Sequence, residues 1–264
     1  MRFVVVPEDD LKAWGPRVAA LEAHATYPLG DDRFAIDHGV DYFAFFRRMG
    51  RTTAHLAVDD DDQVMAVAVQ VLRDLPGGPA WYLCDLKVHP AAQGRALPLR
   101  MFTRSFVSGF RTCRRGYAVS MNPGDGSPNR VVRMLQRIRQ VPIDVDTQVR
   151  LYSLSADELQ RFASTLTDCV GPRRLLSLQG KKDIVLQSTQ APMNLWHVQH
   201  GPLAEEGNCR STFVDGGVHM FSAVDGGELD AAARAAGFST TTTATVLHSG
   251  MPDVDFSMLL TSDI

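Results

Sequence analysis

One short stretch joins an apolar segment to a helical one and has the composition of an anion-binding turn. Residues 81–88 are rich in Trp, Tyr, Leu and Val and are predicted to form a strand, which ends at His89-Pro90 because proline has no N–H for a strand ladder. A helix is predicted over residues 98–115, with proline at its first position. Unpaired amides at a helix start attract anions. The Gly-containing turn at residues 91–97 therefore predicts a phosphate site.

Asp85 places a carboxylate inside the predicted apolar strand. A charged group there requires either a function or a buried partner, so a proton-accepting role and a structural pairing with Arg or a backbone amide both stay open. The cysteines are widely spaced, without a C-x-x-C pair or an adjacent histidine. They predict neither a nucleophile, nor a disulfide scaffold, nor a metal site.

Composition excludes several classes of function. The chain has 264 residues, of which 45% are hydrophobic and 22% charged, which is typical of a soluble globular protein with room for two domains. Its formal net charge of −3 provides no overall field for nucleic acid. No apolar run is long enough to span a bilayer, and the N-terminal residues do not form a signal peptide. We therefore expect a cytoplasmic protein that binds neither nucleic acid nor membranes.

The predicted elements up to residue 154 follow the order β-α-α-β-β-β-α-β-α-β. Residues 27–41 are rich in Gly and Asp and predict a loop, and Ser127 is the expected N-cap of a helix that reaches Arg139. The other predicted elements are strands at 2–6, 53–58, 64–72, 117–121 and 146–154, and helices at 7–25 and 42–46.

A second α+β unit is predicted after residue 171. Ser155 and Glu158 form a capping box at the start of a connecting helix, and Asp225 and Glu228 have the same spacing before a helix at 229–236. The predicted strands of this unit are 182–188, 194–199, 217–224, 238–247 and 256–260.

Residues 86–98 resemble the acetyl-CoA signature of the GNAT superfamily of N-acyltransferases, in which a strand ending V-x-P is followed by [R/Q]-G-x-G-x-G/A and a helix. Gln93 and Gly94 match the first two motif positions, whereas Ala96 and Pro98 replace the later glycines. The element order over residues 1–154 is also that of the GNAT fold. The resemblance implies an α+β, three-layer fold with a mixed central sheet flanked by helices.

Three segments follow from this resemblance. Residues 1–154 are predicted to form a GNAT acyltransferase domain, and residues 155–171 a connecting helix and linker. Residues 172–264 form either a partial second GNAT-like lobe or an unrelated α+β extension; both interpretations stay open.

The resemblance also implies a site for acetyl-CoA, or another acyl-CoA, as co-substrate. The strand around Leu86, Lys87 and Val88 would pair with the pantetheine arm. Asp85 would be the base, and Tyr117 is a candidate acid, because Gln136 stands where the family often has tyrosine. The turn that would hold the pyrophosphate comprises Gln93, Gly94, Arg95, Ala96, Leu97, Pro98 and Leu99, and Asn129 matches the Asn that opens the fourth helix of the family.

The leading functional prediction is therefore transfer of an acyl group, acetyl in the first instance, from acyl-CoA to a primary amine of a small molecule or peptide. Two alternatives stay open. One is a catalytically silent protein that binds acyl-CoA or a protein; the other is an acyltransferase that takes its acyl group from a carrier protein. A homodimer is also left open. The arginines that could dock such a carrier are Arg111, Arg114, Arg115, Arg130, Arg133, Arg137 and Arg139.

Overall fold

The computed structural model describes residues 1–29, 32–110, 112–125, 127, 129–138, 142–205 and 209–264, with the backbone alone for 28, 104–108 and 110. Arg111 and Arg139, named above, lie outside the described residues. The strands of the described chain are β1 (Arg2–Val6), β2 (Tyr27–Leu29), β3 (Asp32–Asp37), β4 (Arg51–Val58), β5 (Val64–Leu75), β6 (Gly78–Val88), β7 (Gly116–Met121), β8 (Asp144–Leu154), β9 (Arg174–Leu176), β10 (Asp183–Leu186), β11 (Leu195–Gln199), β12 (Cys209–Arg210), β13 (Val218–Val224) and β14 (Thr242–Ser249).

Six α-helices accompany these strands in the described residues, and none of them is long and apolar enough to cross a membrane. Short 3₁₀ turns occur at 8–10, 90–92, 201–203 and 256–258. The helices are α1 (Leu11–Glu22), α2 (Ala44–Arg47), α3 (Leu97–Phe110), α4 (Arg130–Leu135), α5 (Ala156–Val170) and α6 (Glu228–Ala235).

One eleven-stranded sheet runs through both halves of the sequence, in the order β1-β4-β5-β6-β7-β14-β8-β13-β11-β9-β12. The strand β14 lies between β7 and β8 and is antiparallel to both. The C-terminal part of the chain therefore completes the sheet of the N-terminal part. The segment boundaries at residues 154 and 172 stay predictions, and the sheet is continuous across them.

The sheet carries helices on two faces. Residues that alternate along β4 and β8 belong to different apolar clusters, which places α1 and α2 on one face and α3, α5 and α6 on the other. We call these the α1 face and the α3 face. The aromatic side chains at the short helix α2 belong to the core, because Phe43, Phe45 and Phe46 are buried on the α1 face with Tyr42.

The loop prediction for residues 27–41 is wrong, because this segment forms β2 and β3. A second, three-stranded sheet has the order β10-β3-β2, so the second half of the chain supplies the strand that pairs with β3. Ile184 lies opposite Ile36, and Leu186 lies opposite Phe34. Such long-range pairs stabilise a strand whose own Gly and Asp content disfavours it.

Several predicted element ends need correction. The helix α3 ends at Phe110 rather than Arg115, and the Thr112 and Cys113 amides both donate to the Gly109 carbonyl oxygen, at 2.9 Å each. The N-cap of α4 is Asn129 rather than Ser127, because its side chain accepts from the first free amides of the helix.

The two predicted capping boxes differ in outcome. The box formed by Ser155 and Glu158 is confirmed at the start of α5. The second is wrong, because Gly227 is the N-cap of α6 and the Asp225 carboxylate instead accepts from Arg150 at 2.8 Å. The strand predicted at 256–260 is a 3₁₀ turn in the described structure.

Candidate active site

The strands β6 and β7 are parallel and separate after three residue pairs, from Trp81 opposite Gly116 to Leu83 opposite Ala118. Beyond these pairs, β6 stays bonded to β5 as far as Val88, and β7 stays bonded to β14 as far as Met121. Residues 84–88 and 119–121 therefore face each other across a gap, and no strand of the described chain pairs with the backbone groups that point into it. We call this gap the wedge.

A bulge in β6 re-aims its side chains at the wedge. Asp85 lies opposite Val69 and Leu83 lies opposite Gln70, so Cys84 is the extra residue. Burial raises the pKa of the Cys84 thiol, which keeps it protonated at neutral pH and a poor nucleophile, as the sequence indicated.

A cavity of about 390 Å³ passes through the wedge and reaches both faces of the sheet. On the α3 face it is lined by Pro98, Phe102 and Met134, and on the α1 face by Asp85, Met220 and other residues of both halves. A ligand in the wedge could therefore meet a second molecule that approaches from the opposite face.

Asp85 belongs to a buried cluster with Glu22, Tyr42 and Lys87. The Tyr42 hydroxyl contacts Asp85 Oδ2 at 2.6 Å and Glu22 Oε2 at 3.1 Å. The Lys87 ammonium lies 2.5 Å from Glu22 Oε2, donates to the Tyr42 hydroxyl at 3.1 Å and also bonds Asp85. We call these four residues the acid cluster. The partner of Asp85 is thus Lys87 rather than the Arg or backbone amide predicted from the sequence. Its proton-accepting role stays a prediction, and Asp85 lines the cavity.

The acid cluster holds two carboxyl groups against one ammonium. Burial raises the pKa of Glu22 above its usual value, although Lys87 opposes the shift, and Glu22 Oε1 has no hydrogen-bond partner in the described structure. Burial alone would lower the pKa of Lys87, but the carboxyl groups of Asp85 and Glu22 outweigh burial and raise it, so Lys87 stays charged. Within the cluster, burial therefore favours the protonated form of Glu22.

His38 and Lys182 are further polar groups of the cavity wall. The His38 ring lies 4.5 Å from the Tyr42 ring, and burial lowers the pKa of His38 to about 4. Its Nδ1 lies 3.2 Å from the Lys181 carbonyl oxygen, which only accepts, so Nδ1 carries the proton of the neutral ring and Nε2 is left as an acceptor. Burial and the nearby cations Arg48 and Lys87 lower the pKa of Lys182 to about 8.

The predicted phosphate turn lies at the mouth of the wedge. Gly94 has φ 80° and Ala96 has φ 52°, so Ala96 keeps the left-handed conformation favoured by glycine, at a cost of about 1 kcal/mol. In the described part of the chain, no group accepts a hydrogen bond from the amides of Gly94, Ala96 or Leu97. These amides fit an anion, whereas Pro98 supplies none.

The side chains of the predicted co-substrate site point in different directions. Gln93, Arg95 and Leu99 are exposed at the turn, and Leu97 is buried in the core. Lys87 turns away from the turn into the acid cluster. The roles of these residues toward acyl-CoA stay predictions.

Asn129 links β7 to α4. Its side-chain oxygen accepts from the amides of Val131 and Val132 at 3.0 and 3.3 Å, and its amide group donates to the Met121 carbonyl oxygen at 3.1 Å. These contacts satisfy the side chain within the protein and fix the end of the strand that borders the wedge.

Tyr117 is not brought together with Asp85. Its hydroxyl accepts from Arg73 Nη1 at 3.2 Å, its ring stacks on Tyr82 with centroids 4.6 Å apart, and Arg73 is paired with buried Asp263 at 3.0 Å. Burial raises its pKa. The proton-donating role predicted for Tyr117 stays a prediction, and the observed contacts are those of a structural network.

Sequence reasoning missed Glu22 and the side-chain role of Lys87. A signal for Glu22 was present, since it continues the buried positions Leu11, Gly15 and Val18 of α1 at helical spacing. A charged residue on such a stripe requires a buried partner.

Comparisons with known proteins place this geometry in a known fold. No protein-family model and no curated protein matches the sequence. Among solved structures, a tandem GNAT protein from the clavulanic acid biosynthesis pathway is similar over 96% of this chain and 100% of its own, with 10% identity and a TM-score of 0.53. The chain has a tandem GNAT fold. This result confirms the predicted fold class, including a GNAT-like C-terminal lobe in place of an unrelated extension.

Two further solved structures are similar to part of this chain. The ribosomal-protein-S18-alanine N-acetyltransferase from Escherichia coli is 14% identical, covering 56% of this chain and 82% of its own, with a TM-score of 0.38. A GNAT-family protein from Desulfovibrio desulfuricans is 17% identical, with a TM-score of 0.30, and covers 40% of this chain and 60% of its own.

Proposed function

We propose that this protein is an N-acyltransferase that moves an acyl group from acyl-CoA to a primary amine. The wedge carries this proposal, because its unpaired strand edges can bond the amides of a pantetheine arm, as an added strand would. The free amides of Gly94, Ala96 and Leu97 lie at its mouth and suit the pyrophosphate. Acetyl-CoA is the first donor to test.

The cavity suits direct transfer between two substrates. The amine nitrogen attacks the thioester carbonyl carbon, so that a C–N bond forms and the C–S bond breaks. Asp85 lines the cavity and takes the proton that the amine loses, while Tyr42 and Lys87 hold its carboxylate in place. The thiolate takes up a proton from solvent and leaves as free CoA, and Asp85 returns its proton to solvent, so that amine plus acyl-CoA gives amide plus CoA.

The test is release of thiol from acetyl-CoA across a panel of primary amines, with the amide measured by mass spectrometry. We expect thiol and amide to appear in equal amounts. Binding of acetyl-CoA with no thiol release from any amine would support the silent alternative instead. Activity with acyl-carrier protein but not with acyl-CoA would support the third interpretation.

A further inference from the structure

The part of the cavity on the α1 face is lined by both halves of the chain. We call it the chamber. One wall is formed by the three-stranded sheet, which contributes Phe34 and Ile36 from β3 and Ile184 from β10. Its far wall includes Leu195 and Met220, from β11 and β13. An isolated N-terminal lobe would therefore lack β10 and the far wall.

The chamber is polar at one end and apolar at the other. Asp85, Lys87 and His38 lie at the end next to the wedge, where transfer would occur. The opposite end is mostly aliphatic, methionine and phenylalanine side chains, and it also carries Lys182, His197 and Thr261. A ligand placed with its amine at Asp85 would bury its remaining atoms against these apolar groups.

The charges of the chamber select against a second ammonium group. Asp85 is the one acidic side chain among the described residues that line the cavity, and it is already paired with Lys87. The other ammonium of the wall, Lys182, lies 4.3 Å from the Phe45 ring centroid and bonds the main-chain oxygen of Ile264. A second positive charge on the ligand would lose its hydration beside Lys182 and find no unpaired acidic side chain on the described wall in return.

We infer that the acyl acceptor is a monoamine whose non-reacting part is apolar, and that polyamines and cationic peptides are excluded. This inference rests on the proposed function and names its acceptor class. The apolar end contributes affinity in proportion to the buried area of the acceptor, and the lack of a free carboxylate provides the discrimination.

A matched pair of amines tests the inference on the wild-type protein. Hexylamine and 1,6-diaminohexane have the same carbon chain and differ by one amine group. With acetyl-CoA as donor, we expect kcat/KM for the diamine to be lower by at least about 100-fold. Along ethylamine, butylamine and hexylamine, kcat/KM should rise about fourfold per added methylene.

A substitution in the chamber should change this selectivity. Met220→Glu places a carboxylate at the apolar end, so we expect the ratio of kcat/KM for hexylamine to kcat/KM for 1,6-diaminohexane to fall by about tenfold or more. Val40→Glu adds the same charge at a fully exposed residue that does not line the cavity, and should leave this ratio of kcat/KM unchanged. The wild-type series remains decisive if Met220→Glu does not fold.

The outcomes separate this inference from the function on which it rests. Equal kcat/KM for both amines would overturn the acceptor class and leave acyl transfer intact. Preference for octanoyl-CoA without discrimination between the amines would assign the chamber to the acyl chain instead. Absence of thiol release with every amine would overturn both the function and the inference.

Discussion

Replacement of Lys87 by methionine tests the acid cluster most sharply. Lys87 is the cation that bonds Glu22, Tyr42 and Asp85, and its side chain is only 8% exposed. Methionine keeps much of the side-chain volume but leaves two buried carboxyl groups without a counter-charge. Removing one partner of a buried ion pair costs about 3–5 kcal/mol of unfolding free energy. For a chain of this size, that loss lowers Tm by roughly 6–20 °C.

The loss should depend on pH with a definite sign. Without Lys87, the pKa of Glu22 should rise further, because no nearby cation among the described residues then opposes the effects of burial and of the Asp85 charge. When the pKa of a carboxyl group is higher in the folded state than in the unfolded state, the folded protein loses stability as the pH rises from the unfolded-state pKa through the folded-state pKa. The loss of unfolding free energy in Lys87→Met should therefore be larger at pH 7.5 than at pH 5. Adding Glu22→Gln to Lys87→Met should recover about 2 kcal/mol or more of unfolding free energy at pH 7.5.

Urea unfolding followed by circular dichroism at both pH values measures these quantities. Lys12→Met is the matched control, since Lys12 is exposed on α1 and its replacement should change stability by less than about 0.5 kcal/mol. A loss for Lys87→Met below about 1 kcal/mol, or an equal loss at pH 5 and 7.5, would refute the account of the acid cluster.

Three further substitutions separate catalytic from structural roles. Asp85→Asn should lower kcat by about 10²–10⁴-fold in the thiol-release assay with acetyl-CoA affinity unchanged, and an unchanged kcat would rule out Asp85 as the base. Tyr117→Phe should lower the unfolding free energy by about 1–3 kcal/mol, because Arg73 loses a buried partner, without a change in kcat. A large fall in kcat would instead identify Tyr117 as the proton donor. Asn129→Ala should cost about 1–2 kcal/mol in urea unfolding through loss of the α4 cap, and weaker acetyl-CoA binding at equal folding would show a direct role in binding.

Local signals in the sequence predicted the elements that border the site. The strand, turn and helix around Gly94 follow from apolar composition, proline placement and the glycine, all of which act within a few residues. The capping box at Ser155 is likewise a contact between neighbours. The order of the other first-lobe elements then followed from these local features, whereas β2 and β3 were predicted as loop.

Long-range pairing was beyond the reach of the sequence. The strand β3 exists through its partner β10, about 150 residues further along the chain, and β14 enters the sheet between β7 and β8. The acid cluster likewise joins Glu22 of α1 to Lys87 of β6. The spacing of α1 indicated that Glu22 is buried, but only the fold shows which cation it meets.

Calorimetric titration with acetyl-CoA tests the central claim most directly, namely that the wedge and its turn bind acyl-CoA. We expect saturable binding by the wild-type protein and by Gly94→Ala, because an added Cβ at Gly94 meets no atom within 4 Å and its strain comes from φ alone. Gly94→Glu has the same backbone strain but places a carboxylate at the phosphate turn, so binding should be lost. No binding by the folded wild-type protein at millimolar acetyl-CoA, or equal affinity of Gly94→Glu and Gly94→Ala, would contradict the account.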